Sequence, residues 1–192
     1  MKLMRHLAAF ATLTASTAAM ADMLDLNLNN NVAQFQYSTA NGPEAQGKAD
    51  LHAGFLYNNA KSLLVNGGIM VANSLENAPG VSAGIGMEAL AASIKDNAPA
   101  SYSASGVALD ALLRYSPPTA SQVGIAGELH FAPRILTFGD AVRFAQATVR
   151  AEYELAPQTV VYVGYRRTSF GMKVGPAAVL DSSAHIGFKI GF

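Results

Sequence analysis

The chain has 192 residues, 51% of them hydrophobic, with 13 basic side chains against 13 acidic ones and a formal net charge of zero. Balanced charge without a basic run argues against nucleic acid as a partner. Cysteine is absent, so a secreted form would be closed by something other than disulfides. Tryptophan is absent too, which leaves tyrosine and phenylalanine to build any interfacial aromatic belt.

The first stretch, MKLMRHLAAFATLTASTAAMAD, has a positive head at Lys2 and Arg5 and an apolar middle from Leu7 to Ala19. Ala19-Met20-Ala21 completes a small-residue cleavage pattern. These are the three regions of a secretory signal peptide. Residues 1–21 are expected to be removed on export by the general secretory route, leaving 22–192 as a single domain. The apolar middle is shorter than the roughly 20 residues a spanning helix needs, and no longer apolar run follows.

From there the sequence reads as two-faced strands. Leu24, Leu26 and Leu28 alternate with Asp25 and Asn27, and Phe35 and Tyr37 with Gln34 and Gln36. KADLHAGFLY sets Leu51, Phe55 and Tyr57 against Asp50, His52 and Gly54. SLLVNGGIMVA and VSAGIGMEALA are weaker cases, the second with Ile85 and Met87 against Gly84, Gly86 and Glu88. GVALDALLRY, VGIAGELHF, AQATVRAEYEL and VVYVGYR repeat the alternation, most sharply where Val149, Ala151 and Tyr153 oppose Arg150, Glu152 and Glu154. A strand sends successive side chains to opposite faces, whereas a helix would wrap those charges around every side. Clusters of Asn, Gly, Pro and Ser between the segments mark hairpin turns. About ten strands result, or eight or nine if Asn29–Asn31 is not a turn. GVSAGIG lacks the following helix and partner acid of a dinucleotide site and reads as close-packed strand.

A soluble sandwich would also alternate. Here, however, the polar face is glycine-rich and carries unlike charges at matching depth, as in a confined interior. The apolar face is long and carries Tyr57, Tyr115, Tyr153 and Tyr165 toward its ends. The expectation is therefore an all-β fold, a closed antiparallel up-and-down transmembrane β-barrel with apolar residues toward lipid. Glu128, Arg150, Glu152, Glu154, Arg166 and Lys189 are expected to form a structural charge network in the lumen. The loops at 132–141 and 171–181 read as segments folded on the rim or as contact patches.

The final strand, SSAHIGFKIGF, keeps alternating to Phe192, as it must if it seals against the first strand. Gly187, Ile190 and the terminal Phe192 resemble the assembly signal of outer-membrane barrels, with Ile186 departing from the usual polar residue before the glycine. More specifically, AGELHFAP, ATVRAEYELAPQTVVYVGYRRTSF and the final strand resemble the YfaZ family, with lower similarity back to about Asn31. The resemblance implies a small barrel in the Gram-negative outer membrane, meeting outer-membrane lipid and the barrel-assembly machinery through its last strand. It offers no catalytic residue or substrate.

His52, His130 and His185 all fall on the polar parity, near Asp50 and Glu128 in sequence, but their spacing matches no metal motif. They read as lumen side chains, so no metal, cofactor or catalytic residue is expected. An outer-membrane lipid A deacylase of this size would carry an H-x-S pair; here the stretches are HAG, HFA and HIG. At eight to ten strands the interior is about wide enough to be filled by side chains. A monomeric structural or surface-contact barrel with little or no conductance is the expectation, ahead of a narrow solute channel and a lipid-modifying enzyme.

Overall fold

The computed structural model describes residues 22–41, 48–95 and 101–192, so the expected signal peptide lies outside it. Ten long strands make the wall: β1 (Asp22–Leu28), β2 (Val32–Asn41), β3 (Lys48–Asn58), β4 (Leu63–Ser74), β5 (Val81–Lys95), β6 (Ser101–Tyr115), β7 (Val123–Ala132), β9 (Ala141–Ala156), β10 (Thr159–Met172) and β11 (Ala178–Gly191). A short β8 (Thr137–Gly139) sits between β7 and β9 in the chain. Every long strand pairs antiparallel with its neighbours, and β1 pairs with β11 to close the barrel.

At that seam the register runs from Met23 opposite Gly191 to Leu28 opposite Ile186. Beyond it, Asp22 and Phe192 exchange backbone hydrogen bonds of 3.1 and 2.9 Å. Phe192 is thus tied into the ladder, in line with the alternation that runs through β11 to it. A closed ring leaves no unpaired edge, the condition for placing strands in hydrocarbon.

The Asn29–Asn31 turn is real, which gives ten wall strands rather than eight or nine. Asn29 Oδ1 accepts the N–H groups of Asn31 at 2.8 Å and Val32 at 2.7 Å, the side-chain mimicry that makes asparagine a turn residue. The 132–141 loop also takes a definite form. A 3-10 turn at Arg134–Leu136 leads into β8, which pairs with Ala104–Gly106 of β6 and prolongs the wall where β7 stops. Gly139 supplies the positive φ of 79° needed to leave β8. The 171–181 segment is mostly strand, because β10 runs to Met172 and β11 starts at Ala178.

The two faces are inverted relative to a water-soluble protein. Ile85, on the outside, is 75% exposed, whereas Arg166, on the inside, is 1% exposed. Leu109, Leu113, Ile125, Leu129, Val149 and Val163 add to a continuous apolar exterior. Soluble monomers rarely expose more than a few hundred Å² of contiguous apolar surface, so this exterior belongs in a bilayer. Tyr57, Tyr115 and Tyr153 lie near strand ends as expected. Tyr165 does not: it stands midway along β10, where its hydroxyl meets Ser182 Oγ at 2.9 Å.

The interior is less uniformly polar than the sequence pattern suggests. Toward the end distant from the chain termini, the inward positions include Leu56, Leu64, Ile94, Phe144, Phe170 and Leu180, all buried in one cluster. Phe144 and Phe170 are register partners on β9 and β10, with ring centroids 4.9 Å apart. Charged side chains fill the middle and the terminal half.

Candidate functional site in the barrel lumen

Four of the six expected network residues come together around Glu152. Arg150 Nε lies 2.6 Å from Glu152 Oε1, Lys189 Nζ 2.9 Å from the same oxygen, and Arg114 3.0 Å from Oε2. Arg150 also reaches Glu128 at 2.6 Å. The register explains the convergence. Tyr162 stands opposite Glu152 on one side and Gly187 on the other, so its ring forms the floor of the group. Arg150 and Lys189 each hold a charge 5.6 Å from that ring centroid, within cation–π range. The Tyr162 hydroxyl donates to Asp25, which is the cross-seam partner of Lys189.

Arg166 belongs to a separate group nearer the distal end. Its guanidinium is paired with Asp181 at 2.7 Å, donates to Asn27 Oδ1 at 2.8 Å and also bonds Gln34. Glu154 joins neither group: it has no ion pair among the described residues, and its backbone N–H donates to the Gln122 carbonyl at 2.8 Å. The expected single network is thus two networks and a bystander. Asp25 and Arg114 were legible only as polar-parity positions, and Asp181 fell in the segment read as the 171–181 loop.

The inward glycines leave little room for water. A Cβ on Gly187 would overlap the Tyr162 ring, one on Gly164 would come within 2.9 Å of His185 Nε2, and one on Gly84 within 3.2 Å of Met70 Sδ. At these three positions the gap is occupied by a neighbour's side chain, and at Gly86 by the Ile69 backbone carbonyl.

A third polar group gathers two of the histidines. His52, Gly68 and Glu88 are successive register partners on β3, β4 and β5, and Asp110 and His130 are partners on β6 and β7. A Cβ on Gly68 would overlap the Met87 carbonyl and the Glu88 backbone, so glycine there allows the close approach of β4 to β5. His52 Nε2 lies 3.6 Å from Glu88 Oε2, His130 Nδ1 3.5 Å from Glu88 Oε1, and His130 Nδ1 2.9 Å from Asp110 Oδ1. Glu88 and Asp110, both distant in sequence from His52, are thus among the carboxylates that meet these imidazoles. His185 stays apart, edge-on to Tyr162 at 5.9 Å between ring centroids.

Gly187 and Ile190 lie on β11 between β1 and β10, and Phe192 lies just past its end. Gly187 faces Tyr162 inward, Ile190 pairs with Leu24, and Phe192 closes on Asp22.

Among solved structures, the chain is similar to one from a study of the in-meso crystallization of membrane proteins, at 12% identity and a TM-score of 0.46, covering 90% of this chain and 83% of that one. It is also similar to the outer membrane channel DcaP of Acinetobacter baumannii, at 11% identity and a TM-score of 0.43, covering 93% of this chain and 55% of that one. No curated protein matches it. A family described as "YfaZ precursor" matches residues 1–192. With that match running the full length of the sequence, the chain belongs to the YfaZ family.

Proposed function

We infer that this protein is an exported outer-membrane barrel with a filled lumen, doing structural or surface-contact work with little or no conductance. The observation that carries the reading is the inward apolar cluster at the distal end, where Phe144 and Phe170 are 1% and 0% exposed. An ion crossing there would shed its hydration against hydrocarbon side chains, at a cost of several kcal/mol. The paired charges beneath add stiffness, since Arg166–Asp181 and Arg150–Glu128 join neighbouring strands and Lys189–Glu152 reaches across an intervening one.

The Gly187–Ile190–Phe192 pattern favours delivery by the barrel-assembly machinery, and closure within one chain favours a monomer. An enzymatic reading gains little from the lumen. His52 and His130 face carboxylates, an arrangement that offers no hydroxyl nucleophile.

Planar-bilayer recording of the purified barrel tests the reading. Flat traces at voltages where porins conduct are expected; sustained nanosiemens currents would refute it in favour of a solute channel.

A further inference from the structure

We propose that His52, Glu88 and Asp110 form a lumenal binding site for a divalent first-row transition metal such as zinc, with His130 and Asn66 orienting its carboxylates. One donor atom from each of His52, Glu88 and Asp110 lies within 4.8 Å of the other two. The second observation is that His52 Nε2 and Asp110 Oδ2, both buried, have no hydrogen-bond partner. His52 is 8% exposed and Asp110 4%. A buried polar atom left unpaired costs about 1–3 kcal/mol, and two of them on one cluster mark a place where a ligand belongs.

The geometry suits zinc. Bonds of about 2.0–2.2 Å to nitrogen and oxygen place tetrahedral donors roughly 3.3–3.5 Å apart. His52 Nε2 and Glu88 Oε2 already stand 3.6 Å apart. Asp110 needs a shift on the order of 1 Å, within the range of a side-chain torsion adjustment.

The orienting contacts are in place as well. Asn66 Nδ2 donates to Glu88 Oε2 at 2.6 Å. His130 Nδ1 lies 2.9 Å from Asp110 Oδ1, which leaves Oδ2 as the free donor toward the cation. Such partners fix ligand direction and raise affinity. Two carboxylates supply the negative charge that balances a divalent ion in an enclosed interior. One imidazole among the donors favours zinc, copper or nickel over magnesium or calcium.

Access is from the terminal side. There the inward neighbours along β4 and β5 are Met70, Ala72, Gly84 and Gly86, so an entering ion has only the flexible Met70 thioether on these two strands to displace, whereas Leu64, Leu90 and Ile94 close the distal side.

The test is titration calorimetry of zinc into the full barrel refolded in detergent, with magnesium as the comparison ion. One zinc per chain is expected, with no magnesium binding. His52→Gln and Asp110→Asn should each weaken zinc by roughly 100-fold or more. His130→Ala should cost roughly 10–100-fold, the usual loss for an orienting partner. His185→Gln, outside the cluster, should bind as the parent does. Absent binding, or equal binding in His52→Gln and the parent, overturns the site. Heat-modifiable migration on gels reports whether each variant has closed. Should His52→Gln fail to close, X-ray absorption of the zinc-loaded parent decides: a light-atom shell with imidazole scattering supports the site, and a shell without it refutes it.

Discussion

The Tyr162 ring occupies the space that a side chain on Gly187 would fill, directly across the β10–β11 pair. Glycine at this position therefore has a packing reason in addition to its place in the terminal pattern. It lets the phenol lie flat over the backbone, close Asp25 and floor the Glu152 group. Gly187→Ala should displace the ring and lower stability by about 1–3 kcal/mol, the usual cost of overpacking. Urea unfolding of the refolded barrel measures it. An unchanged midpoint would show that the glycine matters only to delivery. Tyr162→Phe should lose about 1–3 kcal/mol by leaving the Asp25 carboxylate without its donor.

Glu152 is the hub of the charge group, touched by Arg114, Arg150 and Lys189. Its side chain is 2% exposed, and those of Arg150 and Lys189 are 10% and 14% exposed. Glu152→Gln removes the ion-pair partner of Lys189 and leaves Arg150 with Glu128 alone, and should destabilise by about 3–5 kcal/mol. Arg114→Ala should cost under about 1 kcal/mol, because its side chain is 44% exposed and solvent screens the pair. Equal losses in the two variants would contradict a hub.

How much of this could be read in the sequence depends on which physical signal each feature leaves. The wall was legible because one-residue alternation is the direct imprint of a sheet with two solvents, as Val149, Arg150, Ala151 and Glu152 show. Closure was legible from the unbroken alternation into Phe192. The apolar end of the lumen was hidden, since Leu63, Leu64 and Val65 are apolar on both parities and cannot be divided between faces by pattern alone. Residue pairing was hidden for another reason. His52 meets Glu88 across an intervening strand, and that contact depends on register and on the space left by Gly68, neither of which is encoded locally. The split of Arg166 from the Glu152 group likewise follows from the depth of each residue in the barrel, which a linear pattern does not give.

The orientation of the two faces can be tested at Val149, which is 53% exposed midway along β9 and stands in register with Gly127 and Tyr165. Val149→Arg puts a cation toward the middle of the apolar band. In a bilayer this should cost about 2–4 kcal/mol, falling to about 0–1 kcal/mol for a substitution near the interfaces such as Leu155→Arg. The readout is unfolding in lipid vesicles. A depth-independent, near-zero cost would mean that the apolar face does not meet hydrocarbon.

Phe144 and Phe170 carry the strongest claim about transport, because they face one another across β9 and β10 at the distal end. Replacing both with alanine removes two buried rings, and each truncation should destabilise by about 3–5 kcal/mol. The Arg166–Asp181 pair and the Glu152 group lie on other residues and should keep the wall closed. If the rings are what bars ions, the double variant should show bursts of conductance in planar bilayers while the parent stays silent. Heat-modifiable migration must confirm that the variant is still a closed barrel before its currents are compared. A silent double variant that remains closed would move the barrier to the ion-paired half of the lumen, where Glu152→Gln combined with Lys189→Met is then the pair expected to conduct.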